Sequence, residues 1–435
     1  MIKRSGKRAT VFFPANPARA FKFSIKCGGA DRFLILYGNG KTLRVSMRYI
    51  EISAQDVYFS LSKFYYCPIR CVILTRSDTF FKMANSIIAA TGSYIPPVAI
   101  PNTNFLDNEF YGADGVRLER PNPEIIEKLY EITGIKERRH VPDGLNTSDI
   151  AYMAAKQALD GVDMENLDYI IVAQNLGDVQ PDNRRTDMVP TIAARVKHKL
   201  KIKNPYTVAL DIPFGCPGWL QAMIMADYYI KSGDAKRILV IGAETLSRVS
   251  DPHDVDSMIY ADGAGATLLE ATDRDVGILS HVTRSDTYDH AYLLYMGKTY
   301  NPNLNENDLY IKMHGHEIYK YAARTVPKVV KKNLEDAGFD LSDVKKILMH
   351  QANEKMDEAI LRRLFSLYKV DEIPPGIMPM MISWAGNSSV ATLPMMLDLI
   401  RRGKLDGHRL ESGDITVFAS VGAGMNINSM VYRMP

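Results

Sequence analysis

From Met83 onward, short apolar runs alternate with longer stretches whose apolar residues recur at helical spacing. Runs at 169–173, 237–241, 265–269, 346–349 and 416–419 are too short and too uniformly apolar for surface helices, and predict buried strands. The 3.6-residue pattern predicts helices over 147–160, 187–200, 217–231, 315–337, 354–367 and 388–402. Strands of this kind interleaved with amphipathic helices imply an α/β fold with sheets covered on both faces. The order of elements over 83–270 recurs over 271–435, so the body reads as two variants of one unit. Residues 1–82 break the pattern and show no sustained helical or strand period.

Composition changes this picture mainly at the N-terminus. The 435 residues are 46% hydrophobic, enough for one large core or two. The net charge of +3 gives no support for a nucleic-acid partner. It conceals an asymmetry: residues 1–82 hold 15 Lys/Arg against 4 Asp/Glu, and the remainder holds 38 against 46. Cys27, Cys67 and Cys71 all lie in this basic stretch, which leaves Cys216 alone in the body. No disulfide framework supports the body, so a reducing, cytoplasmic setting is expected. No apolar run approaches the roughly 20 residues that cross a bilayer.

The basic stretch contains two lookalikes. Gly38-Asn39-Gly40-Lys41-Thr42 resembles a phosphate loop, but Ile35 occupies the required upstream glycine position. Cys67 and Cys71 have no second ligand pair nearby, so no zinc site is expected. An Arg-rich, acid-poor leader fits an organelle-targeting peptide, but the aromatic content does not. Residues 1–82 are read instead as a non-family extension, either an over-extended start before a native Met83 or a disordered segment.

The candidate chemistry centres on Cys216. An apolar strand leads into Phe214-Gly215-Cys216-Pro217-Gly218-Trp219, and a helical pattern leads out. Pro217 suits a first helical position, which places Cys216 at the N-cap under the positive end of the helix dipole. A lowered thiol pKa and a nucleophilic sulfur are expected there. Downstream lie His350-Gln351-Ala352-Asn353 and Gly386-Asn387-Ser388-Ser389, each at the mouth of a helix. Separately these are more often a core cysteine, a structural histidine and a capping asparagine. Together they form the set expected for nucleophilic catalysis on an acyl group.

Seven runs then carry a resemblance to one family. They are Ala84–Pro96, Thr133–Arg139, the Cys216 segment, Ile259–Ala266, the His-Gln-Ala-Asn run, the Gly-Asn-Ser-Ser run and Ser420–Asn426. In this order and spacing the chain resembles the β-ketoacyl-acyl-carrier-protein synthase III family. The resemblance implies a thiolase-like five-layer αβαβα sandwich of two pseudo-repeated halves, 83–270 carrying the nucleophile and 271–435 carrying His and Asn. It implies an acyltransferase of fatty acid or related biosynthesis that condenses a primer, held on Cys216, with a malonyl or β-ketoacyl thioester. His350 and Asn387 would stabilise the enolate. The backbone N–H groups of Cys216 and Ala423 would form an oxyanion hole. No metal and no cofactor beyond the acyl thioesters is implied. The partners would be acyl carrier protein, acyl-CoA or both, and the chain would be a homodimer without membrane association.

Several positions depart from the family pattern. Lys128 and Ile132 stand where a Trp and an Arg hold the adenine end of CoA, while Arg248 matches a second adenine-side arginine. Lys320, Lys355, Arg362 and Arg363 match positions facing the carrier protein. Val421 replaces an aromatic residue, Gly177–Asp187 is long, and Pro217 and Trp219 flank the nucleophile where Ala and Phe are common. These departures suggest, as an alternative, a specialised ketosynthase of dialkylresorcinol or quinolone type. A hydroxymethylglutaryl-CoA-synthase-like reaction is a further alternative, but it needs a catalytic Glu that the sequence alone does not place.

Overall fold

The computed structural model describes residues 84–304 and 307–435 in full, and the backbone of five short strands within residues 1–83. The chain divides into two compact units, Met1–Phe80 and Phe81–Pro435. In the first, strands Ile2–Ser5, Arg8–Val11, Phe23–Cys27, Arg32–Gly38 and Lys41–Ser46 form an antiparallel sheet in chain order. The sequence pattern predicted no strands here. They are short, and only Arg32–Gly38 contains a run of apolar residues, so the period gave little signal. Gly38 pairs directly with Lys41, an antiparallel strand pairing. Cys67, Cys71 and the expected start at Met83 lie outside the described residues.

The second unit is built on nine principal strands: β1 (Asn85–Tyr94), β2 (Tyr169–Gln174), β3 (Val208–Pro213), β4 (Arg237–Thr245), β5 (Asp262–Thr272), β6 (Gly277–Ser285), β7 (Val344–Met349), β8 (Ile415–Gly422) and β9 (Asn426–Arg433). They form two sheets, in the orders β3-β2-β4-β5-β1 and β6-β9-β8-β7. In the first, β3, β2 and β4 run parallel, and β5 and β1 close the sheet antiparallel. The second repeats the scheme one strand short: β7 and β8 are parallel, then β9 and β6 are antiparallel.

Six helices cover and separate the sheets: α1 (Thr147–Ala158), α2 (Ile192–Lys199), α3 (Gly218–Ser232), α4 (Gly315–Ala337), α5 (Glu354–Leu367) and α6 (Thr392–Arg401). Three apolar cores define the layers. Ile150, Ala154 and Val196 of α1 and α2 pack on Ile170, Val172 and Leu239 of the first sheet. Val326, Val330, Ile360 and Leu364 of α4 and α5 pack on Ile347, Val417 and Val431 of the second. Between the sheets lie α3 and α6, where Leu220, Met223, Met396 and Ile400 meet Ile171, Val240, Leu348 and Phe418. This is the five-layer αβαβα sandwich that the resemblance implied. Both sheets are buried on two faces, which explains why their strands read as apolar runs rather than alternations.

Helix starts depart from the sequence pattern where a polar residue intervenes. α2 begins at Ile192, not 187, because the Thr191 hydroxyl caps it by accepting from Ala194 N at 3.1 Å. α6 begins at Thr392, not 388, because Ser389–Ala391 forms a separate 3₁₀ turn. Between β6 and α4, the short strands Leu294–Gly297 and Tyr310–Met313 pair antiparallel.

Candidate active site

Cys216 leaves the C-terminal end of β3 and precedes α3. The helix starts at Gly218 with Pro217 as its N-cap, so Cys216 lies one residue further from the helix than predicted. Gly215 turns the chain with φ +71°, a left-handed conformation that favours glycine. The turn after β8 presses against this corner. A Cβ on Gly422 would lie 2.7 Å from Cys216 N, and one on Gly215 would lie 2.9 Å from Ala423 N. Glycine is therefore needed on both sides of the contact, and the backbone N–H groups of Cys216 and Ala423 are brought close together.

The second half contributes the other candidates. His350 follows β7 directly, and its N–H donates to Ala419 O at 2.9 Å, so it is fixed against β8. Asn387 is bound to the chain before β5: its N–H donates to Ile259 O at 3.0 Å, and its carbonyl accepts from Ala261 N at 2.9 Å. Both side chains are buried. Ser389 ties all three candidates together. Its hydroxyl donates to Cys216 Sγ at 3.3 Å, its N–H donates to Asn387 Oδ1 at 2.8 Å, and its backbone lies near enough to His350 to pull the imidazole pKa upward. The structure thus brings Cys216, His350 and Asn387 into one site across the two halves. With Oδ1 taken, the amide nitrogen of Asn387 remains as a donor, and His350 Nδ1 has no partner among the described residues.

The electrostatics differ from the sequence expectation. Cys216 keeps some exposure, yet desolvation by the surrounding protein pushes its thiol up to about 11. The Ser389 hydroxyl and the N–H of Cys216 itself oppose that rise, and the Glu244 carboxyl adds to it. The prediction of a lowered pKa fails because burial outweighs the dipole of a helix that starts two residues away. Burial holds His350 down at about 4, against the pull of the Ser389 backbone, so the imidazole is neutral at pH 7. A neutral ring carries one donor and one acceptor.

Three residues that sequence reasoning did not single out belong to this site. Glu244, at the end of β4, is fully buried, and burial pushes its carboxyl up to about 8. Its Oε2 accepts from both the backbone and the side-chain nitrogen of Asn175, just after β2. Asn175 Nδ2 also donates to Ser389 Oγ at 3.1 Å. The available signal was a carboxylate ending the apolar run Arg237–Ala243, where a strand predicts another small apolar residue.

The peripheral residues take other positions. Arg248 is buried and donates to Pro142 O at 3.1 Å and Leu145 O at 3.3 Å, so its guanidinium is used to hold that loop. Lys128 and Ile132 line a shallow groove with Leu118, Arg120 and Leu129. Lys320 on α4 and Lys355, Arg362 and Arg363 on α5 are all exposed on two helices packed against each other. No cluster of metal-ligating side chains occurs among the described residues, and none of their helices is long and apolar enough to cross a membrane.

Comparison with known proteins shows the family. The 3-oxoacyl-[acyl-carrier-protein] synthase III family matches residues 210–287, and the C-terminal domain of the same family matches 334–434. The chain is 31% identical over 355 residues to β-ketoacyl-[acyl-carrier-protein] synthase III 1 of Halalkalibacterium halodurans, covering 81% of this chain and 99% of the relative. It is 33% identical over 358 residues to the synthase III of Ehrlichia canis, covering 81% and 100%. The crystal structure of 3-oxoacyl-[acyl-carrier-protein] synthase III from Aquifex aeolicus superposes with a TM-score of 0.65 at 28% identity, covering 80% of this chain and 99% of that one. These relatives favour neither the resorcinol or quinolone alternative nor the hydroxymethylglutaryl-CoA-synthase-like one. Chain-long similarity and a shared fold together show that the protein belongs to the 3-oxoacyl-[acyl-carrier-protein] synthase III family.

Proposed function

We propose that this enzyme catalyses decarboxylative Claisen condensation in fatty acid biosynthesis, with Cys216 as nucleophile and His350 and Asn387 as enolate-stabilising donors. The observation that carries the assignment is the convergence of these three side chains on Ser389 at the mouths of α3, α5 and α6. The Cys216 sulfur attacks the primer thioester, its proton passes to the departing thiol, and an acyl-Cys forms. A malonyl thioester then loses CO₂. The resulting enolate oxygen receives hydrogen bonds from the neutral His350 imidazole and the Asn387 amide. The enolate carbon attacks the acyl-Cys, whose carbonyl oxygen faces the N–H groups of Cys216 and Ala423. Collapse releases the β-ketoacyl thioester and a Cys216 thiolate, which takes up a proton. No metal or cofactor enters these steps.

Delivery of the primer by acyl carrier protein is favoured over acyl-CoA. The groove at Lys128 and Ile132 has no aromatic wall for an adenine, and Arg248 is engaged with the Pro142 and Leu145 carbonyls. The exposed cations Lys320, Lys355, Arg362 and Arg363 suit an acidic carrier. A homodimer is favoured by β3, which has no partner strand on its outer edge among the described residues, and by the exposed Tyr206, Val208 and Tyr228 nearby. A cytoplasmic setting is favoured by the single cysteine of the body.

Intact-mass measurement of the protein and its Cys216→Ala variant against matched acyl-CoA and acyl-carrier-protein panels tests the reading. An acyl adduct that vanishes in the variant is expected, with the carrier-linked donor preferred. Folded protein that takes no acyl group from any donor would overturn it.

A further inference from the structure

The residues around Cys216 show a feature that the Cys-His-Asn assignment does not use. Ser389 has φ +51°, a left-handed conformation that a residue with a side chain adopts at a cost. Such outliers persist where the surroundings over-determine them, and they concentrate at functional sites. Here the strained backbone lets one residue reach all three catalytic candidates at once, by hydrogen bonds from its hydroxyl to Cys216 and its N–H to Asn387, with its backbone beside His350.

The direction of the hydroxyl proton follows from its partners. Asn175 Nδ2 has two hydrogens, and two acceptors face it: Glu244 Oε2 and Ser389 Oγ. Each acceptor takes one. Ser389 Oγ is then an acceptor from Asn175, and its own proton is directed at Cys216 Sγ, 3.3 Å away. Glu244 fixes the amide orientation that makes this so. Its Oε2 also accepts from Asn175 N, so the proton this carboxyl holds below about pH 8 belongs on Oε1, and the Asn175 nitrogen rather than its oxygen faces Oε2. Glu244 is fully buried, so this anchor is shielded from competing water. A sulfur that accepts a fixed O–H bond is better served as thiolate than as thiol. The arrangement therefore counteracts the desolvation that disfavours the charged nucleophile. The other titratable groups at the site are His350, Glu244 and Tyr260, and none is cationic at neutral pH, His350 being held down at about 4.

We propose that Ser389 is a further catalytic residue, donating to the reacting sulfur, and that Asn175 and Glu244 are positioning residues that aim its hydroxyl. The proposal rests on Cys216 being the nucleophile, but its measurement does not require a known acyl donor.

The test is the pH dependence of Cys216 alkylation by iodoacetamide in the full chain, with Cys216→Ala as the background for other cysteines. In Ser389→Ala, which removes one atom and keeps the backbone, the apparent thiol pKa is expected to rise by about one unit, and the rate at pH 7.5 to fall about tenfold. Asn175→Ala frees the hydroxyl rotor and is expected to shift the profile in the same direction, by less. Glu244→Gln retains an acceptor for Asn175 and is expected to stay within about twofold of wild type at pH 7.5, whereas Glu244→Ala behaves like Asn175→Ala. A Ser389→Ala profile that coincides with wild type, in protein with an unchanged circular dichroism spectrum, would overturn the proposal. A shifted profile in protein that no donor acylates would leave the proposal standing and overturn the condensing-enzyme reading instead.

Discussion

The two halves of the body use the same frame and put different chemistry in matching places. In each, a parallel strand in the sheet is followed at once by a polar residue: Asn175 after β2, His350 after β7. In each, another polar residue sits just before the central helix: Cys216 before α3, Asn387 before α6. All four neighbour Ser389, yet they differ in their partners. Asn175 is saturated by Glu244 and Ser389 and supports the site. The His350 ring has no such saturated set of partners, its buried Nδ1 making no hydrogen bond among the described residues, which fits the donor role proposed for the ring. Duplicated topology supplies the positions, and hydrogen-bond saturation decides which of them can do chemistry.

The strongest way to break this comparison is to remove the donors of the second half while keeping the nucleophile of the first. His350→Ala and Asn387→Ala should still form acyl-Cys, while condensation with malonyl thioester falls about 10²- to 10³-fold. Single-turnover assays of the two steps separate the outcomes. Equal loss of both steps would show that the halves do not divide the labour as described.

Stability probes the join between the halves. Lys312, from the second, is fully buried against Asp251 at 2.6 Å and Asp254 at 3.0 Å from the first, and lies over the Tyr300 ring. Lys312→Met strands two buried carboxylates and should cost about 3–5 kcal/mol in denaturant unfolding.

The pH dependence of stability should carry opposite signatures from Glu244 and His350. The folded protein holds the His350 imidazole at about 4, below its ordinary 6.5, so the unfolded chain binds the extra proton. This contribution is complete above pH 6.5 and is lost as pH falls towards 4. Glu244 titrates at about 8 when folded, against an ordinary 4.5, so the folded chain holds the proton. Its contribution is complete below pH 4.5 and is lost as pH rises towards 8. The His350 contribution is on the order of 3 kcal/mol and the Glu244 contribution on the order of 5 kcal/mol. Urea unfolding of Glu244→Gln at pH 5 and pH 8.5 should show the alkaline loss removed and the acid loss retained.

The smallest effects belong to the exposed cations of the second half. Neutralising Lys320, Lys355, Arg362 or Arg363 singly should change stability by less than about 0.5 kcal/mol. Affinity for an acidic carrier protein should weaken in a manner that high salt abolishes, while turnover of an acyl-CoA donor stays constant. Titration at two salt concentrations distinguishes docking cations from a merely solvated helix face.

Much of the frame was readable along the chain. Buried strands such as Ile170–Val172 and Ile238–Val240 announce themselves because both their faces are apolar, and α4 and α5 because their polar faces stay wet. The first unit was not readable in this way, since its strands are short and mostly mixed in polarity. The candidate set that the structure brings together was readable because Cys216, His350 and Asn387 stand in distinctive runs. The thiol's environment was not. A helix start suggests a stabilised thiolate, but only the surrounding residues show how much water the sulfur has lost, and that loss pushes the thiol up to about 11. Arg248 likewise matched a binding position in sequence but is spent on the Pro142 and Leu145 carbonyls.

The sequence by itself determined the layered α/β architecture, the family and the three side chains placed at helix mouths, because periodicity and short motifs are local properties of the chain. Only the tertiary structure decided what surrounds them. Asn175, Cys216, Glu244 and Ser389 are separated by up to 214 residues and meet through hydrogen bonds that no local pattern encodes. Burial, donor direction and the left-handed backbone at Ser389 arise when the two sheets close around α3 and α6, and these set how readily the sulfur can carry charge.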